Sequence, residues 1–309
     1  MRATEWGMTL FVLATLLSLA TGAEPLRVAA EKKQLVISRG TQPVAKYVFA
    51  DEQIRRPYFM ALHTPTGVEV TRHHPPREGT DATDHATIHP GAWLAFGELG
   101  GADFWRNKGR VQHAEFSTEA QVEEGVVRFG VVNRYLDQQR LVCQEKAAYT
   151  LRVLDAGYLL TWDSAFSSTQ SFVFGDQEEM GLGIRLATPL CVKEGSGAIT
   201  SSEGKRNEEQ VWGTQAAWCD YSGAIDERRV GMLLIPHPEN FRPCWFHARD
   251  YGLLVANPFG QKAFTKGQPS RVEVKPGQTL RLRFGLWIYA SQEKPDFHTI
   301  VTEYERSHR

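Results

Sequence analysis

Three groups of ionisable side chains in this sequence have types and spacings that can do chemistry. The first lies in Thr71–His89 (TRHHPPREGTDATDHATIH), a stretch almost free of apolar residues that holds four of the ten histidines. Within it Asp84-His85 sets a carboxylate beside an imidazole, which can fix the ring's tautomer and raise its basicity, and His89 adds a second imidazole four residues on. His-x-x-x-His is a metal-ligand spacing only on a helix, and Pro90-Gly91 argues against one, so proton transfer without a metal is expected here. A solvated histidine-rich loop is the competing reading.

The second group is Phe246-His247-Ala248-Arg249-Asp250-Tyr251-Gly252, followed by Asn257-Pro258-Phe259-Gly260. His247 and Arg249, two residues apart, share one side of an extended chain, where the planar guanidinium can hold a carboxylate or a hydroxylated ligand. Pro236-His237-Pro238 places a third imidazole just upstream. An internal Arg249–Asp250 ion pair that orders a loop competes with ligand binding. The third group is Gln177–Arg185, where Glu178 and Glu179 offer a general base and Arg185 reaches the side of Glu179 only if the chain bends at Gly181. Exposed turn carboxylates are the alternative there.

The elements that must position these groups are strands. A period of two runs through Leu35-Val36-Ile37, Val127–Val131 and Leu280–Ile288, and turn chemistry interrupts it at Thr64-Pro65-Thr66-Gly67, Glu194–Gly197 and Lys275-Pro276-Gly277. Ala147–Leu154 and Tyr158–Phe166, joined by Asp155-Ala156-Gly157, form an expected hairpin. Only Pro295–Arg309 has helical spacing, with Phe297, Ile300, Val301 and Tyr304 on one face and Asp296 as N-cap. Strands without intervening helices, and no Pro/Ser-rich linker, predict an all-β fold: one large antiparallel β-sandwich over 24–309 with a short C-terminal helix. Thr71–His89 is then a long surface loop, the usual place for binding groups on a rigid β scaffold.

Composition excludes several classes. Lys and Arg number 35 against 36 Asp and Glu, so there is no overall basic field for nucleic acid and none is expected as a partner. Met8–Ala20 (MTLFVLATLLSLA) is an uncharged apolar run after Arg2, followed by Thr21-Gly22-Ala23, and it reads as a secretory signal peptide over 1–23. An uncleaved anchor is the competing reading, although the run is shorter than the roughly 20 residues a membrane span needs. Nothing later is long enough, so the mature protein is expected outside the cytoplasm, periplasmic or extracellular, with no membrane span. Cys143, Cys191, Cys219 and Cys244 are even in number but each has apolar neighbours, so buried free thiols are favoured over a metal or redox site while disulfides stay open. Trp93, Trp105, Trp212, Trp218 and Trp245 adjoin loop-like segments, where aromatic faces suit sugar rings; core packing explains them equally well.

Several of these segments also carry a resemblance. Arg56-Pro57-Tyr58-Phe59, His63–Gly67, Asp84-His85, His89–Gly97, Gly101–Trp105, Glu179–Arg185, Trp218–Tyr221, Asn240–Pro243 and His247–Gly260 are similar to a family of secreted bacterial proteins labelled PmoA-like, or methane oxygenase PmoA, whose function is unknown. The resemblance covers nearly the whole mature chain. It implies a sandwich like the galactose-mutarotase supersandwich and a carbohydrate context. The methane label itself belongs to a polytopic membrane subunit, which one short apolar segment does not match. Many relatives carry a denser histidine cluster after the aspartate matching Asp84; here Ala86, Thr87 and Ile88 separate the two histidines.

Together these features predict an exported protein with a small-molecule or oligosaccharide ligand and no cofactor. Its chemistry would be sugar-directed proton transfer of the epimerase, lyase or hydrolase kind, with His85, His89 and His247 as acid/base groups. Asp84, Glu179, Arg185, Arg249 and Asn257 would contact the ligand. The alternative is a carbohydrate-binding or surface protein without catalysis, and a metal-dependent oxygenase comes third. The leader reading has a direct check: amino-terminal sequencing of protein recovered from an exporting host should begin at Glu24, whereas intact Met1 on cytoplasmic protein would refute it.

Overall fold

A computed structural model describes residues 24–307, and the expected signal peptide lies outside them. Two large antiparallel sheets make a β-sandwich. The front sheet has nine strands, in the spatial order Leu26–Ala30, Gln34–Arg39, Gln42–Val48, Tyr58–Met60, Ala92–Phe96, Met180–Arg185, Leu253–Asn257, Trp245–Arg249 and Thr214–Gln215. The back sheet has eight, in the order Ala198–Ser201, Cys219–Ile225, Arg228–Pro236, Leu280–Ser291, Gly157–Ser167, Arg140–Leu154, Val126–Asp137 and Arg110–Glu123. Phe172–Phe174 and Val272–Val274 form a separate two-stranded ribbon.

Alternation decides which side chains meet between the sheets. Leu282, Phe284, Leu286 and Ile288 point into the main core, where front-sheet Tyr47 and Phe59 meet back-sheet Phe129 and Trp162, with Tyr47–Phe129 ring centroids 5.0 Å apart and Phe59–Trp162 5.5 Å. The predicted hairpin is present, Arg140–Leu154 pairing with Gly157–Ser167. All four cysteines are free and buried in this core, and burial pushes the Cys191 thiol up to about 12.

Both outer faces carry a second layer. On the back sheet Leu159, Leu233, Ile235, Trp287 and Tyr289 are covered by Phe297, Ile300 and Tyr304 of the helix Phe297–Arg306, whose N-terminus Asp296 caps by accepting from His298 N at 3.0 Å. This is the helix read from the sequence. Two one-turn helices, Asn207–Val211 and Gln261–Thr265, were not foreseen, being too short to show a period. On the front sheet Trp93, Ala95, Leu253 and Val255 form a minor core with Trp105, Ile54 and Tyr58 from the loops above. Ala92–Phe96 is therefore apolar throughout: it is buried on both faces. Among the described residues no helix is long and apolar enough to cross a membrane.

The C-terminal helix sits close because Gly285 has no side chain; a Cβ there would lie 2.7 Å from Cδ2 of Tyr304. Gly285→Val should lower stability by about 1–3 kcal/mol through overpacking and make the helix an early site of proteolysis. Unchanged melting temperature and cleavage pattern would contradict that packing.

Candidate functional site

The loop between Thr71 and Gly91 has almost no ladder hydrogen bonds of its own, so its carbonyls need other donors. Two buried arginines provide them. Arg72, 1% exposed, donates through Nη1 to the carbonyls of Ala82 (2.9 Å) and Asp84 (2.6 Å) and through Nη2 to that of His89 (3.0 Å). Arg56 donates to the carbonyls of Trp105 (2.8 Å) and Phe104 (3.3 Å), to Asn107 Oδ1 (3.1 Å) and to the carbonyl of Ile88. Burial lowers their pKa values to about 10 and about 9, so both stay charged at neutral pH. Neither was singled out as a site residue in the sequence: Arg72 carried only the signal of an arginine at the mouth of a polar loop, and Arg56 only its place in Arg56–Phe59 of the resemblance.

This clamp presents Asp84 and His85. His85 Nδ1 lies 2.8 Å from Asp84 Oδ2, while Asp84 Oδ1 accepts from Arg185 Nη2 at 2.6 Å. Burial raises the Asp84 carboxyl, but the His85 hydrogen bond and the Arg185 and Arg72 charges outweigh it and hold the group below the usual carboxylate range. With Nδ1 donating to the carboxylate, Nε2 of His85 keeps its lone pair, on a side chain 43% exposed. His85 has φ 52°, a left-handed conformation rare outside turns and functional sites.

Behind His85 the rings form a near-parallel run. His85 stacks on Tyr251 (5.8 Å) and on His89 (4.7 Å), and His89 on Trp93 (5.0 Å). Arg185 lies 4.5 Å from the Tyr251 ring centre and Arg56 lies 5.6 Å from that of Trp93. Burial first, then the neighbouring His85 and the charges of Arg185, Arg56 and Arg72, hold His89 well below the ordinary imidazole range. Trp105 Nε1 donates to His89 Nε2 at 3.3 Å. His89 is thus a neutral buried ring supporting His85. Arg185, also fully buried under Tyr251, positions Asp84.

His247 and Arg249 share the outer face of the front sheet, as their spacing predicts. The register places Trp93, Gly183, Val255 and His247 in one row across four strands, so His247 stands about 14 Å from Trp93. Trp93 and Trp105 lean over Gly183, where a Cβ would meet them at 2.9 and 3.0 Å. In the next row Arg185, Leu253 and Arg249 align. Arg249 bonds Glu208 at 2.7 Å and Glu178 at 3.3 Å, and Asp250 accepts from Glu208 N at 2.9 Å, so in place of the competing Arg249–Asp250 pair both residues tie to the helix Asn207–Val211. Glu179 pairs instead with Arg106, so the two adjacent glutamates diverge. Tyr251 links the clusters: its hydroxyl is pushed up by burial and feels Arg185, Arg249, Asp84 and Glu208.

Other predicted groups have internal work. Asn257 Nδ2 donates to the carbonyls of Gln177 (2.7 Å) and Glu178 (3.0 Å), and its Oδ1 accepts from Phe259 N and Gly260 N, which uses its whole amide to fasten the Gln177–Glu179 turn. His237 packs against Tyr304 on the back-sheet side, away from His247. Trp93 and Trp105 are 0% exposed and belong to the minor core, so they offer no sugar platform. Among the described residues no three His, Cys, Asp or Glu side chains are grouped to hold a metal ion.

Residues 34–297 match a family described as a family of unknown function (DUF6807). No curated protein matches the chain. Solved structures similar to it include a galactose mutarotase related enzyme from Lactobacillus acidophilus (TM-score 0.42, 10% identity, 87% of this chain and 99% of that one). Others are an alpha-galactosidase from Geobacillus stearothermophilus (0.45, 12%, 86% and 41%) and a galactose mutarotase-like protein from Clostridium acetobutylicum (0.34, 8%, 88% and 99%). The chain spans less than half of the galactosidase.

Burial also sets the response to acid. His247, 3% exposed, is held down to about 3 by burial and then by Arg249. In the unfolded chain its imidazole titrates near 6.5, so between about pH 6.5 and pH 3 the unfolded state binds more protons and stability falls as pH drops, by about 1.4 kcal/mol per pH unit for each such histidine. Urea unfolding from about pH 7.5 to pH 4.5 should show a steeper loss in wild type than in His247→Gln. Parallel slopes would contradict the burial of a neutral His247.

Proposed function

We propose that this chain, which belongs to the DUF6807 family of unknown function, binds a saccharide against the outer face of the front sheet and moves a proton on it with His85. The observation that carries this reading is the Asp84–His85 pair, 2.8 Å apart, on a loop whose carbonyls are held by two buried arginines. A carboxylate that fixes one ring nitrogen leaves the other to take a proton from a carbon or hydroxyl and return it. Arg185 keeps Asp84 ionised and in place. Arg249, 29% exposed and held between Glu178 and Glu208, supplies a cationic fork beside carboxylates, a set that can receive the hydroxyls of a sugar.

His89 and His247 take supporting parts in this reading, because each is buried and neutral. Epimerisation and lyase chemistry fit a base of this kind, which takes a proton from carbon and returns it to carbon or to the leaving oxygen; hydrolysis would need in addition a proton donor to the leaving group. Export through the leader at 1–23 belongs to the same proposal, since it would place the protein where polysaccharide breakdown products occur.

The test is a product assay of the mature protein on glycosides and 3-keto-glycosides. His85→Ala should abolish turnover while a bound saccharide is still retained, and Asp84→Asn should lower kcat by roughly 10²–10⁴. Saccharide binding by wild type with no turnover on any substrate, and loss of that binding in His85→Ala, would assign a binding protein instead.

A further inference from the structure

The outer face of the back sheet is only half covered. The helix Phe297–Arg306 packs over its Trp287 side. Beside the helix end two contiguous depressions of about 470 and 460 Å³ share Arg128, Ala148, Thr150, Asp163 and Arg281. The register explains their shape. Successive rows across the strands read Lys146, Ala165, Arg281, then Gly130, Ala148, Asp163, Arg283, then Arg128, Thr150, Thr161. Small side chains make the floor, and cations stand along both edges. Lys146 and Arg281 face each other across Ala165, two strand spacings or about 10 Å apart.

The charge is one-sided. Arg128, Lys146, Arg152, Arg281 and Arg283 line the trough with a single carboxylate, Asp163. Asp163 is shared by Arg281 and Arg283, and Arg283 also bonds Glu239 at 2.9 Å. Arg128 and Lys146 are exposed and make no ion pair among the described residues. A chain of net charge -1 therefore concentrates cations in one elongated depression.

We propose that this trough binds a linear anionic polysaccharide, carboxylated or sulfated, as a second site independent of the His85 site. Two facing rows of cations suit a strand with regularly repeated negative groups. Phe129 and Tyr149 contribute no exposed ring, being buried in the main core, so the trough lacks the stacking surfaces that neutral sugars and unpaired bases use. A floor of Gly, Ala and Thr has no apolar anchor for another protein.

The test measures binding of the mature protein to polygalacturonate and to dextran sulfate, with neutral dextran and single- and double-stranded DNA as comparisons. Both acidic polysaccharides should bind, more weakly as salt rises from about 50 to 200 mM, and neutral dextran should not. Arg128→Ser combined with Lys146→Ser, both exposed positions, should weaken binding roughly tenfold or more at unchanged melting temperature. Lys32→Ser with Lys33→Ser, outside the trough, should leave it intact. No binding to either polysaccharide at low salt, wild-type affinity in the trough variant, or tighter binding of DNA would each overturn the proposal. Turnover on glycosides is read separately, so failure here and failure of the His85 reading are distinguishable.

Discussion

The organisation of the front face depends on charged hydrogen bonds from Arg72 and Arg56 to loop carbonyls. A segment as long as 71–91 cannot lie against a sheet with its peptide groups unpaired, because each buried unpaired group costs roughly 1–3 kcal/mol. A guanidinium offers five donors in a fixed plane, so one side chain can serve carbonyls from several points of the loop at once. Arg72 ties Ala82, Asp84 and His89 together in this way, and Arg56 ties Ile88 to the Phe104–Asn107 turn. The rest of the site follows from where that clamp leaves Asp84 and His85.

The clamp also gives the front sheet a second buried face. Trp93 and Trp105 fill the space between sheet and loop, and Gly183 makes room for both rings. Two polar clusters emerge at the margin of this packing, Asp84–His85–Arg185 and His247–Arg249–Glu178–Glu208, with Tyr251 between them. Desolvation keeps His89 and His247 neutral, while the half-exposed His85 ring is oriented by the Asp84 carboxylate.

The two sheets thereby acquire different outer surfaces from the same alternation. Where the outward residues are Trp287, Tyr289 and Leu233, a helix covers them; where they are Lys146, Ala148, Thr150 and Arg281, the sheet stays open to water. Near-zero net charge over the whole chain conceals this segregation, since composition sums over faces that the fold separates.

Much of the architecture was legible because strand patterning is local. The hairpin at Asp155-Ala156-Gly157, the C-terminal helix with Asp296 as cap, and the sandwich itself follow from side-chain alternation, turn residues and one amphipathic stretch. The Asp84–His85 pair was legible for the same reason, its members being adjacent. Partners across long sequence distances were not: Arg185 with Asp84, Arg72 with His89, and Glu208 with Arg249 meet through strand order, which no local period encodes. Burial was equally hidden. His89 and His247 read as acid/base groups and Arg185 and Asn257 as ligand contacts, and tertiary packing encloses all four. By itself the sequence determined the period of the strands and the chemistry available; the tertiary structure alone decided which groups were desolvated, because that depends on what the opposite strand and the overlying loop place against each side chain.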